Sequence, residues 1–278
     1  MDMSDRIRAH TFSICAVDAA SGQAGVAVAS RCLSVGAIVP YSEPGVGAIA
    51  TQAMANPRYG VRGLELLRKG LPAEEVVRRL TEEDFTVTSE EERFLRLYGE
   101  EGLKEAGVDF FREAGDGAKS GPHGSTRGLA EPWHPEGTAR RIWVTSRIRQ
   151  LGVVDRSGRA AVHTGARCQA WAGHLVGEGY CCQGNLLAGE AVVSAMAEAF
   201  EASRAKAKNL VGPLLAALRA GEAAGGDRRG RQAAAILVVR EGGHWTGGDR
   251  WCDLRVDDHA DPVCELARIV EKVGFAQA

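Results

Sequence analysis

The sequence predicts an α+β fold, a four-layer αββα sandwich of two antiparallel sheets with helices on the outer faces. Three observations predict it. Apolar runs come in pairs joined by turns too short for a parallel crossover, so their pairing is antiparallel. The runs are rich in Ala, Gly and Val on both faces, which suits sheets covered on both sides. Helical periodicity arrives in pairs between the strand groups, as the outer layers require.

Length and composition bound the rest. The 278 residues allow one large domain or two small ones, and 45% hydrophobic with 25% charged residues is ordinary for a globular chain. A formal net charge of -2 provides no field to draw nucleic acid or an anionic membrane, so neither partner is expected. The densest basic cluster, Arg228-Arg229-Gly230-Arg231, is local. Seven cysteines without a C-x-x-C pair read as buried thiols in a reducing cytosol. No metal and no cofactor is expected. Residues 1–10 are polar and lack the apolar core of a secretory signal; they are expected to be a disordered leader, and the protein cytoplasmic. No apolar run approaches bilayer length.

Taken in order, Thr11–Asp18 and Ala24–Arg31 flank a Ser21-Gly22 turn and read as a β-hairpin. Leu33–Tyr41 reads as a strand or bulged strand. A Pro44-Gly45 turn then leads to the strand Val46–Gln52. Asn56–Gly60 reads as a turn. Two short amphipathic helices follow, one through Val61, Leu64 and Leu67, the other from Pro72 to Leu80 with Glu74 and Glu75 at its positive end. From Thr81 the character shifts. Charged helix candidates at Ser89–Tyr98 and Leu103–Ala114 precede a Gly-, Pro- and His-rich stretch at Gly115–Gly137. Residues 85–146 are read as an insertion in a single domain spanning 11–278.

Beyond it, Gln150–Asp155 and Arg159–Gly165 form a second hairpin around Ser157-Gly158. Ala172–Asn185 is a glycine-punctuated strand pair. Glu190–Arg204 and Leu210–Gly221 are helices, Ala233–Val239 and Asp253–Val256 strands. Pro262–Val273 is a closing helix capped by Asp261.

Several ordered segments together resemble one bacterial family. They are Thr11-Phe12-Ser13-Ile14, Gly25–Arg31, Ala55–Gly60, Trp171–His174, Gly177-Glu178-Gly179, Gln183-Gly184-Asn185, Ala224–Asp227 and Leu254–His259. The chain thereby resembles domain-of-unknown-function family 1028 from Thr11 to the last helix, except across 85–146. That family looks like the N-terminal nucleophile (Ntn) hydrolases, whose fold is the αββα sandwich. The resemblance implies an amide-bond hydrolase. It also implies a threonine made competent by freeing its own amine. In the family that threonine commonly follows the initiator methionine; here ten residues precede Thr11, so the His10–Thr11 bond must be cut for the amine to act.

The candidate site follows from these readings. Thr11 is the expected nucleophile, because a strand-head hydroxyl can attack an acyl carbon when its own amine takes the proton; the plain alternative is a threonine that starts a strand. Asn185, in the turn before a helix, is a candidate oxyanion donor, against a role in satisfying the turn. Asp227 resembles the acid that steadies the amine in proteasome-like relatives, against a loop acid paired with its own arginines. Arg31 or Arg231 could hold a substrate carboxylate, and Thr51 and Asn56 are expected to line the cleft. No lysine falls in the strand where proteasomal subunits place one. His163 and His174 read as core histidines. Cys15, Cys32, Cys168 and Cys181 are rival nucleophiles.

The expected function is therefore an Ntn-type amidohydrolase acting on a small amide or acyl-amino compound. The alternatives are a non-catalytic small-molecule binder on the same fold, with 85–146 as its lid, and a cysteine-dependent hydrolase. A homo-oligomer is expected.

Overall fold

A computed structural model describes residues 11–84 and 146–275. The expected leader at 1–10 and nearly all of the expected insertion lie outside the described residues. What is described is a mixed α+β structure with two antiparallel sheets and five α-helices.

The first sheet has six strands: β1 (Thr11–Asp18), β2 (Gln23–Ser30), β7 (Gly173–Gly177), β8 (Tyr180–Gly184), β9 (Ala233–Val239) and β10 (Arg250–Val256). They run in the order β10-β9-β2-β1-β8-β7. The second sheet has four, β3 (Pro40–Glu43), β4 (Gly47–Ala53), β5 (Arg149–Asp155) and β6 (Ala160–Thr164), in sequence order. Both expected hairpins form, with Thr11 opposite Ser30 in the first and Gln150 opposite Thr164 in the second.

Side-chain alternation divides each strand between two environments. Phe12, Ile14 and Ala16 of β1 pack with helices α3 (Ala191–Arg204), α4 (Val211–Ala223) and α5 (Pro262–Val273). Cys15 and Val17 face the other way and share a core with Ala48, Ala50 and Val154 of the second sheet. Ile49, Leu151 and Val153, on that sheet's opposite face, pack with α1 (Pro57–Arg68) and α2 (Ala73–Glu82). Full burial of each such Val, Leu or Ile stabilises the fold by about 1.5–3 kcal/mol before entropy is counted.

Four local readings change. The expected turn at Asn56–Gly60 is the first turn of α1: Asn56 caps it by accepting from the Arg58 amide at 3.1 Å, and Pro57 holds the first helical position. Leu33–Tyr41 is mostly not strand but a short 3-10 turn at Val35–Ala37 before β3. Gly36 there approaches β9 so closely that a Cβ would lie 2.4 Å from that of Ala235. Helix α4 runs through Gly221 to Ala223, because that glycine lets α4 approach Met196 of α3, where a Cβ would lie 2.7 Å from Cγ. β10 begins at Arg250, three residues before the expected start. No helix of the described residues is long and apolar enough to cross a membrane.

Candidate functional site at the head of strand β1

The inter-sheet face changes character along the strands. At one end it is apolar. At the other, where β1 begins, the inward positions of five strands carry polar side chains: Thr11 and Ser13 on β1, Ser30 on β2, Gln52 on β4, Gln150 on β5, and Gln183 with Asn185 at the end of β8. All seven are buried. They sit inside because the period-2 alternation that turns Val17, Val28, Ala50 and Val154 inward carries through to these positions.

Buried amides must find partners, and here they find one another. Thr11 Oγ1 donates to Ser30 Oγ at 3.2 Å. Ser13 Oγ donates to Gln52 Oε1 at 2.6 Å and accepts from Gln183 Nε2 at 2.7 Å. Gln52 Nε2 reaches Gln150 Oε1 at 2.8 Å, the Thr11 carbonyl at 3.2 Å and the Gln183 carbonyl at 3.3 Å. Gln150 Nε2 donates to the Gly184 carbonyl at 2.9 Å, the Gly173 carbonyl at 3.1 Å and Thr164 Oγ1 at 2.9 Å. Thr164 in turn meets Nδ1 of His174 at 2.9 Å. His174 is an exposed side chain whose pKa is lowered by partial desolvation, then by the charge of His163. One atom of the network, Gln183 Oε1, is buried without a hydrogen-bond partner; it lies against Gly152, where a Cβ would come within 2.4 Å of it.

The residues singled out from sequence are distributed as follows. Thr11 heads β1 with no exposed surface. Asn185 is beside it, its backbone amide donating to the Thr11 carbonyl at 3.1 Å. Its side-chain Nδ2 donates to Gln150 Oε1 at 3.1 Å. Asp227 accepts from the Arg31 amide at 2.9 Å and pairs with Arg229 through Nη2 at 2.8 Å. It thus fastens the end of β2 to its own glycine-rich loop. The Arg31 guanidinium donates to the Arg229 carbonyl. Thr51 alternates to the α1 side of its sheet, and its hydroxyl accepts from the Asn56 amide at 3.0 Å. Asn56, besides capping α1, donates from Nδ2 to Asp84 at 3.1 Å. Arg231 lies 3.4 Å from both Glu222 and Asp261. It lines a cavity of about 320 Å³ together with Phe12, Ser30, Glu222, Asp227 and Pro262. Thr11 is not among the residues lining that cavity. Burial raises the pKa of Glu222, with Arg231 opposing the shift.

Among the rival thiols, Cys15 and Cys168 have raised pKa values. Desolvation pushes Cys15 and Cys182 well above the ordinary thiol value, and burial lifts Cys168 to about 11. Such thiols carry little thiolate near neutrality. Among the described residues, no group of three or more His, Cys, Asp and Glu is placed to hold a metal ion.

Sequence reading passed over Gln52, Gln150, Ser13 and Ser30. The signal was available in the strands already assigned: reading every second residue on the inward register gives Thr-Ser-Cys-Val on β1 and Ala-Ala-Gln on β4. Polar residues therefore collect at one end of both sheets.

The architecture is thus that of a two-sheet α+β protein with a buried polar cluster around the first residue of its first strand. The chain belongs to the family of unknown function DUF1028, whose model matches residues 11–102 and 137–266. The match takes in both margins of the expected insertion and leaves 103–136 outside. Among solved structures, the chain is similar to protein SPO2555 of Silicibacter pomeroyi, titled with the same family, at 26% identity and a TM-score of 0.65. The similarity covers 95% of this chain and 86% of that one. A comparison with curated proteins found no match.

Proposed function

We propose that the chain is an amide-bond hydrolase of the Ntn type, with Thr11 as nucleophile and a small amide or acyl-amino compound as substrate. The observation that carries the reading is the position of the Thr11 hydroxyl. It heads a central strand and turns into the inter-sheet polar cluster, where Ser30 Oγ lies 3.2 Å away. The layering, helices on the outer face of each of two facing sheets, supports an αββα sandwich of the Ntn kind.

The chemistry requires the amine of Thr11 to be free. In the maturation step the hydroxyl oxygen attacks the carbonyl carbon of residue 10. The acyl group passes from nitrogen to oxygen, and the hydroxyl proton ends on the released amine. Water then cleaves the ester, leaving a carboxylate on residue 10 and a free hydroxyl and amine on Thr11. The freed amine, with a pKa of about 8 in model peptides, serves as the base when the hydroxyl attacks a substrate amide. Ser30 is placed to orient that hydroxyl.

Intact-mass measurement of the purified protein tests the reading. A chain beginning at Thr11 is expected, and Thr11→Ala should remain uncut. A wild-type protein that keeps residues 1–10 under all conditions would overturn it.

A non-catalytic binder is the second reading, favoured by the cavity lined by Arg231 and Glu222. Ligand-induced thermal stabilisation of an uncut chain, with no turnover, would establish it.

A further inference from the structure

Gln52 joins the two sheets at the point where Thr11 sits. Its side chain has no exposed surface. It leaves β4 of one sheet and reaches β1 and β8 of the other. An amide NH₂ has two protons. Gln150 Oε1, the closest acceptor at 2.8 Å, takes one. The second is shared by the carbonyls of Thr11 and Gln183, at 3.2 and 3.3 Å. The other end of the amide is fixed too, since Oε1 accepts from Ser13 at 2.6 Å. Every polar atom of Gln52 is therefore engaged, and its orientation is determined by the network.

The Thr11 carbonyl consequently receives two donors, the Asn185 amide from its own sheet and Gln52 from the facing one. The first is what any strand end makes. The second is not needed for the ladder, and it constrains rotation about the Cα–C bond of Thr11. The α-carbon carries the amine and Cβ, so holding the carbonyl restrains the backbone from which both reacting groups project, while Ser30 orients the hydroxyl itself.

We propose that Gln52 is the positioning residue of the Thr11 site: it acts by holding the Thr11 carbonyl from across the inter-sheet space. This inference rests on the hydrolase reading and adds to it the residue that makes the nucleophile's geometry unique. Misplacement of a reacting group by about 1 Å can cost on the order of 100-fold in rate, so the loss of this contact should appear as a large kinetic effect.

The experiment follows cleavage of the His10–Thr11 bond over time by intact mass in the full chain, with a denaturant midpoint measured for each variant. Gln52→Met keeps the length and removes both donors; cleavage is expected to slow about 10- to 100-fold relative to wild type. Gln52→Asn keeps an amide but draws it back by one methylene group, and should fall between the two. Leu237→Ala, in the apolar part of the core, is the control for stability alone. It should cleave at the wild-type rate although it is destabilised as much or more. Gln52→Met cleaving within twofold of wild type would overturn the inference while leaving the hydrolase reading intact. Should Gln52→Met fail to fold, Gln52→Asn cleaving at the wild-type rate would overturn it equally. Slowing in Leu237→Ala to the same degree as in the Gln52 variants would also overturn it, by showing that cleavage tracks stability. A wild-type chain that is never cut would overturn the hydrolase reading, and this inference with it.

Discussion

The two ends of the inter-sheet space are built from the same strands and differ in kind. Toward the β1–β2 turn, Val17, Ala24, Val26, Leu237 and Val154 meet as apolar side chains. Toward the head of β1, Thr11, Ser13, Gln52, Gln150, Gln183 and Asn185 meet as polar ones. The apolar end is stabilised by area removed from water and tolerates changes that conserve volume. The polar end depends on every donor finding its acceptor, because an orphaned buried amide costs more than a satisfied one gains. A fold that wanted only stability could have filled both ends with Val and Leu. That one end is instead a net of hydrogen-bonded glutamines around a threonine marks it as the end where geometry matters.

Substitutions sharpen the contrast, and the largest effect is expected at the polar end. Gln150→Leu removes the acceptor of Asn185 Nδ2 and the closest acceptor of Gln52 Nε2, and takes the side-chain donor from the Gly173 and Gly184 carbonyls. Loss of these buried contacts predicts destabilisation of about 4 kcal/mol, read from the urea midpoint. A variant as stable as wild type would show that the amides are not a coupled net. At the apolar end, Leu237→Ala removes a buried side chain without orphaning anything, and should cost about 3 kcal/mol through the cavity it leaves. Introducing a Cβ into the polar end by Gly152→Ala drives it against Gln183. Overpacking of this kind predicts about 2 kcal/mol of destabilisation, and thermal melting with and without a compensating Gln183→Asn distinguishes contact from backbone strain.

The smallest effect is a pH dependence confined to the polar end. The folded protein lowers the pKa of His174 below its ordinary 6.5, first through desolvation and second through His163. The unfolded chain therefore takes up a proton that the folded chain resists. This contribution to stability is whole above pH 6.5 and is lost as pH falls toward the depressed folded value. Urea midpoints of wild type should decline between pH 7.5 and 5.5 more steeply than those of His174→Gln; parallel declines would remove His174 as a cause.

Much of this was readable in the sequence, and unevenly so. Both hairpins, the strand pair at β7 and β8 and the helices α3 and α5 followed from periodicity and turn chemistry, because those signals are local. The glycines misled where their reason was tertiary. Gly221 reads as a helix stop but serves close helix packing, and Gly36 interrupts what reads as a strand because β9 passes against it. At the candidate site, Thr11 and Asn185 were legible as a strand head and a turn, and the structure brings them together. Thr51 was chosen one position from Gln52. Along a strand a single step reverses the face, and only the partner sheet shows which face looks inward. Asp227 was legible as an acid beside arginines, and its partners are Arg229 and the Arg31 backbone.

Asp84 and Arg149 form an ion pair at 2.6 Å with both side chains nearly sealed from water. Arg149 also donates to the Met54 carbonyl at 2.7 Å. Their positions bracket the span that separates α2 from β5, so the pair acts as a clasp closing the two-sheet scaffold upon itself. The scaffold's integrity is thereby decoupled from the length of chain strung between those two points. Shortening that stretch is therefore expected to leave the strands around Thr11 in place.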